Sequence, residues 1–204
     1  MAWDFAAEIS ALTGFNADYN TDTSTGETHR VHATQWLTDS AKEVIKVLPN
    51  RLLHFCASNV SFTAGSPSTL NTGKILTVFR SDGDINQPCR KIEPFHKGRY
   101  SDPDDMNYAT VTDPVYFIEN NTIDVIPVSG AVTYSEVQHP AVAYDASNIS
   151  VFPDEAEYLV VIYAAIKSLE ALYSDSEDIE LYIPIISQLK EDYKVGLSRL
   201  TKGG

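Results

Sequence analysis

The sequence predicts an α+β fold: a helical bundle formed by the N- and C-terminal helices, with an inserted small all-β element, sandwich- or barrel-like. Three observations predict it. Helical periodicity occupies both ends of the chain, and short β-rich runs separated by turn clusters occupy its middle. The chain has 204 residues, 43% of them hydrophobic and 21% charged, which are the values of a globular protein. A chain of this size buries about 70% of its unfolded surface, enough for one domain carrying a large insertion. The expected division is a discontinuous helical domain over 1–58 and 149–204, and a β-rich insertion over 59–148.

Taken in order, Trp3, Phe5, Ala6, Ile9 and Leu12 stand at helical spacing, and Gly14 ends that helix. Residues 16–29 are rich in Asn, Asp, Thr, Ser and Gly and read as a polar loop. A second helix is expected over about 33–48, with Trp36, Leu37, Ala41, Val44, Ile45 and Leu48 as its stripe. Ser40 and Glu43 have capping-box spacing, so residue 40 is the latest start. Pro49 stops or kinks this helix, and Leu52, Leu53 and Phe55 continue the apolar surface in a short helix or strand.

The β-rich runs are 60–63, 74–79, 115–118, 122–126 and 131–137. Glu119-Asn120-Asn121 between two of them is a hairpin signal, and Pro127 limits pairing after Ile126. Helical character returns over 152–173. Pro153 suits a first helical position, and Asp154, Glu155 and Glu157 suit the positive end of the helix dipole. The middle of this helix, Tyr158, Leu159, Val160, Val161, Ile162, Tyr163, Ala164, Ala165 and Ile166, is apolar all round, so it is expected to serve as core or as subunit interface. After an acidic break at 174–178, Tyr182, Ile185, Ile186, Leu189, Tyr193, Leu197 and Leu200 form the stripe of a last helix, which Pro184 either starts or kinks.

The net charge is −13, from 15 Lys+Arg against 28 Asp+Glu. A surface that neutralises phosphates has the opposite sign, and an anionic membrane repels this chain. An acidic surface suits solubility, or DNA that passes without adhering. Cys56 and Cys89 form no CxxC and have no His at ligand spacing, so no zinc site is expected; two thiols or one disulfide are both open. Met1-Ala2-Trp3-Asp4 lacks the basic and long apolar regions of a signal peptide. The longest apolar run, 159–166, is far short of the roughly 20 residues of a membrane span, so no membrane partner is expected.

Tests for chemistry give little. His29 and His32 have no third ligand near them in sequence, and Asp102-Pro103-Asp104-Asp105 and Asp82-Gly83-Asp84 lack the rest of a calcium-loop pattern. There is no GxSxG, GxGxxG or GxxxxGKS/T, and a helix N-terminus already accounts for Asp154, Glu155 and Glu157. No catalytic residue, metal or cofactor is assigned, and the chain is not expected to be an enzyme.

The stretch Asn148-Ile149-Ser150-Val151-Phe152-Pro153-Asp154-Glu155-Ala156-Glu157-Tyr158, continuing to Leu169, resembles a segment of virion structural proteins of tailed bacteriophages. Residues 41–53 around Leu48-Pro49, 74–84, 110–116 with Asp113-Pro114, and Ile123-Asp124-Val125-Ile126-Pro127 ahead of Tyr134 are similar in order and style. The likeness is to head-to-tail adaptors, also called connector or neck proteins. It implies a homo-oligomeric ring, commonly of twelve copies, that sits beneath the portal protein and above a downstream tail or nozzle protein. It implies double-stranded DNA passing through without specific binding, a place in the virion after synthesis in the host cytoplasm, and no catalytic residues. The alternative is a minor tail or other virion protein whose β insert is a ligand- or glycan-binding module.

Overall fold

A computed structural model describes residues 4–14, 29–83, 85–173 and 179–202, without the side chains of 29, 30, 172, 173, 179, 181 and 202. The expected loop at 16–29, apart from His29, lies outside the described residues, as do Trp3, Asp84 and the acidic break at 174–178. Helices and two sheets make an α+β fold. The chain divides into two compact units, Met1–Cys56 with His139–Gly204, and Ala57–Gln138. Residues 139–148, which the sequence reading gives to the insertion, belong to the first unit.

In the first unit, helix α1 (Phe5–Thr13) starts where the Asp4 side chain accepts the Ala7 N–H at 2.8 Å. It ends at Gly14, whose φ of +68° lets its N–H reach the Ser10 carbonyl. Helix α2 (His29–Val47) begins earlier than the capping signal suggests. Ala33, Leu37, Ala41, Val44 and Ile45 are all buried, so one apolar stripe runs through the supposed cap at Ser40. Ser40 is buried in mid-helix, and its Oγ has no hydrogen-bond partner among the described residues. Glu43 pairs instead with Lys46 at 2.6 Å.

Pro49 ends α2 and precedes α3 (Asn50–Leu53), which settles the short segment as helix. Hydrogen bonds from backbone N–H groups tie the 139–149 segment to its unit, among them the Phe5 N–H donating to the Ala146 carbonyl and the Val142 N–H donating to Thr38 Oγ1.

The second unit holds β1 (Ala57–Thr63), β2 (Ser68–Thr69), β3 (Ile75–Ser81), β4 (Asn86–Pro88), β5 (Arg90–Lys91), α4 (Lys97–Ser101), β6 (Val115–Glu119), β7 (Thr122–Ile126) and β8 (Ala131–Val137). One sheet has the order β1-β8-β3-β4 and the other β2-β7-β6-β5. Every pair is antiparallel except β5 with β6. Glu119 faces Thr122 across Asn120 and Asn121, whose φ values of 50° and 60° are those of a two-residue hairpin turn. Val78, Val132 and Tyr134 of the first sheet meet Ile123 and Val125 of the second, which makes the unit a sandwich.

Two buried charged groups fasten its loops. Arg80 donates from Nε to the Ser129 carbonyl at 2.7 Å, and Glu136 Oε1 accepts the N–H groups of Thr72 and Gly73 at 2.7 and 2.9 Å. The chain returns to the first unit and forms α5 (Asp154–Tyr173) and α6 (Ile179–Lys202). Pro184 lies inside α6, so it neither starts the helix nor supplies an N–H for the Glu180 carbonyl.

Candidate interaction surface

Helix α5 starts with three carboxylates, and Glu157 also accepts the Ile149 N–H at 2.6 Å, which fixes the chain entering the helix. Beyond them the apolar run has no polar side, and α1, α2 and α6 all pack against it. Of the nine residues expected to be core or interface, Leu159, Val160, Val161, Ala164, Ala165 and Ile166 are buried within this chain. Ile162 and Tyr163 are half-buried, and Tyr158 is 43% exposed. Ala165, Ile166 and Leu169 form one cluster with Leu189 of α6, flanked by Ile162, Tyr182, Ile186 and Tyr193. Ile185 of the expected α6 stripe stands outside it, exposed.

The close approach of α6 to α5 depends on Gly196. A Cβ built there falls on the Tyr158 hydroxyl and on Leu159 Cδ2. The signal for it in the sequence is the isolated glycine inside a helical stripe, which commonly marks a packing constraint.

Three surface features surround α5. Between α1 and α5 lies a groove of about 410 Å³ lined by Glu8, Ala11, Leu12, Tyr158, Val161 and Ile162. Burial pushes the Glu8 carboxyl above its usual range, and Glu157 and Asp4 push it further. Glu157 is also raised by burial, against the Ile149 N–H that favours its charged form.

Between α5 and α6 a second groove, of about 380 Å³, has Tyr163, Ile166, Tyr193 and Leu197 as its apolar part and Lys167, Glu170, Lys190 and Lys194 around them. Glu170 binds Lys167 through one oxygen and Lys190 through the other, each at 2.8 Å. Burial alone raises the Glu170 pKa, but these two hydrogen bonds bring it below the usual carboxylate value. The Tyr193 hydroxyl is pushed up to about 12 by burial, then by Tyr163 and Glu43. The third feature is a cleft of about 290 Å³ at the start of α5, lined by Phe55, Phe152, Pro153, Asp154 and Glu155. The sequence gives no sign of the last two features, because each joins residues from separate helices or segments.

Other groups singled out in the sequence have local roles. His32 stacks on Trp36 with centroids 6.0 Å apart, and the His29 side chain is outside the described residues. Asp105 is held down to about 2 by the Asn107 backbone and side-chain N–H groups and by Arg99. Cys56 and Cys89 are both thiols, and burial pushes Cys89 up to about 11, which makes it a poor nucleophile. Among the described residues no cluster of three or more His, Cys, Asp and Glu is placed to hold a metal, and no helix is long and apolar enough to cross a membrane.

Comparison with known proteins gives no further lead. No model of a protein family matches the chain, and no curated protein matches it. These surfaces combine apolar grooves, aromatic edges and lysine–carboxylate rims.

Proposed function

We propose that this chain is a structural, non-enzymatic adaptor of a tailed-phage neck, one copy in a ring joining the portal protein to a downstream tail or nozzle protein. One observation carries the reading. The Phe-Pro-Asp-Glu-Ala-Glu stretch that resembles virion proteins opens α5, and Tyr158 with the α1–α5 groove follows directly on an open face of that helix. Partly exposed aromatic side chains on ordered helices are the usual anchors of protein contacts. The net charge of −13 suits a passage that DNA crosses without sticking.

The test is co-expression with the portal protein of the same genome, followed by electron microscopy and native mass measurement. A ring of this chain beneath the portal supports the reading, and Tyr158→Ser is expected to lower occupancy without altering circular dichroism. A chain that stays monomeric and leaves the portal bare overturns it.

A second reading has one observation of its own. On the sandwich unit, Phe79, Ser81, Asn86, Ala131 and Thr133 line a cleft of about 330 Å³. An exposed ring beside hydroxyls and an amide is chemistry that binds sugars. Glycan-array binding that is lost in Phe79→Ala favours a glycan-binding minor tail protein.

A further inference from the structure

The helical unit presents two surfaces of opposite character. At the start of α5, Phe55 is 61% exposed beside Asp154 and Glu155, and neither carboxylate is in an ion pair among the described residues. Between α5 and α6, three lysines surround one glutamate over a floor of Tyr163, Tyr193 and Leu197. Glu170 occupies Lys167 and Lys190, and Lys194 has no ion pair among the described residues. The other carboxylate acting on Tyr193, Glu43, is itself paired with Lys46. The groove therefore keeps a surplus of positive charge in a chain whose net charge is −13.

We propose that the two surfaces bind each other between copies: Phe55, Asp154 and Glu155 of one copy seat in the α5–α6 groove of the next. The proposal rests on the ring reading above and names the contact that builds the ring.

Charge and the exposed Phe55 ring both point to a second copy as the occupant. Self-repulsion among chains of net charge −13 opposes association everywhere except where a cationic surface meets an acidic one. The exposed ring supplies an apolar anchor for the tyrosine-lined groove, and the two carboxylates face its lysine rim. The same surfaces do not pair within one chain. Among the described residues Lys167 and Lys190 both pair with Glu170, and Asp154 and Glu155 are in no ion pair. Because the two surfaces differ, the contact is heterologous, and its repetition closes a ring or extends a filament.

Charge reversal tests this directly. One variant carries Lys190→Glu and Lys194→Glu; the other carries Asp154→Lys and Glu155→Lys. Self-association of each is measured by sedimentation and native mass spectrometry, with and without portal, against the unmodified chain. Either variant alone is expected to associate at least about tenfold more weakly, because like charges then face each other. Mixing the two restores association to within about threefold, since each groove again meets a complementary surface. The mixed assemblies should alternate one to one.

Two milder variants, Phe55→Ser and Lys194→Glu alone, keep the test decisive if a double variant fails to fold; both are expected to weaken association at unchanged circular dichroism. An unmodified chain that assembles while all variants assemble equally well refutes this contact and leaves the ring reading standing. A mixture that fails to recover, with both variants folded, also refutes the contact. An unmodified chain that never associates, even on the portal, removes the ring reading and the contact together.

Discussion

Replacing Gly196 by alanine isolates what holds α6 against α5. On an exposed helix the change stabilises by about 1 kcal/mol, since alanine is the better helix former. At this position the new Cβ meets Leu159 Cδ2 and the Tyr158 hydroxyl. Tyr158 is partly exposed and can swing aside, but Leu159 is fully buried between helices. Extra volume in a packed interior costs about 1–3 kcal/mol, so the net effect is a loss of about 1 kcal/mol. Gly98 in α4 is the internal control, because a Cβ there meets nothing within 4 Å. Gly98→Ala is therefore expected to be neutral or to stabilise by about 0.5–1 kcal/mol. Urea unfolding followed by far-UV circular dichroism measures the first, and calorimetry registers both units. Adding Tyr158→Ala should recover part of the Gly196→Ala loss, giving a favourable coupling in a double-mutant cycle. A Gly196→Ala chain as stable as the unmodified one refutes the account of close helix approach.

Further expectations follow from single residues. Leu159→Asp places a charge in the fully buried part of α5 and should cost about 3–5 kcal/mol, read as lost soluble yield or a non-cooperative melt. Ser40→Ala removes a buried hydroxyl that has no partner among the described residues and should raise stability by about 0.5–1.5 kcal/mol in denaturant titration. Gly130→Ala strains a φ of +91° and brings a Cβ to 2.5 Å from the Ser81 carbonyl, so calorimetry should show the sandwich unit melting earlier. Burial first, then Glu157 and Asp4, raise the Glu8 pKa above the usual glutamate range. The folded state thus binds this proton more tightly than the unfolded state does. The stability associated with it is complete below the unfolded pKa and is lost as pH rises through the folded one. Glu8→Gln should accordingly melt higher than the unmodified chain at pH 7, with the gap closing toward about pH 4; a lower melting temperature at pH 7 contradicts this.

What the sequence made legible follows the length scale of each signal. Helix α5 was readable because Pro153, three carboxylates and an unbroken apolar run all point the same way within one segment. The β6–β7 hairpin was readable because two asparagines tolerate the positive φ that its turn requires. Helix α2, expected over about 33–48, starts at His29; Ser40 and Glu43 mimic a capping box, but the late start they allow is outweighed by the buried stripe that Ala33 and Leu37 carry upstream. Strands β2, β4 and β5 are two or three residues long and carry no periodicity to detect. The surface features were invisible because proximity creates them: Phe55 meets Phe152 and Asp154 only after the chain has made the whole sandwich and returned.

A helix apolar on every side is open to two explanations, an interior of its own or a partner's surface. Here α1, α2 and α6 cover α5, and six of its nine central residues are buried without any second chain. That leaves Tyr158 and parts of Ile162 and Tyr163 open, with lysines and carboxylates at the rims, as the surface the proposed ring would use. Interfaces of this make-up are not domain cores cut in half; they are small, polar-rimmed and sensitive to salt. Such a contact is weak between two free chains carrying a net charge of −13 each. It becomes strong when many copies are held side by side, because each placed copy raises the effective concentration of the next. On the adaptor reading proposed above, a portal with repeated binding positions would supply that arrangement. Assembly of this chain should therefore be steeply dependent on the template and on ionic strength, while the fold of the single copy depends on neither.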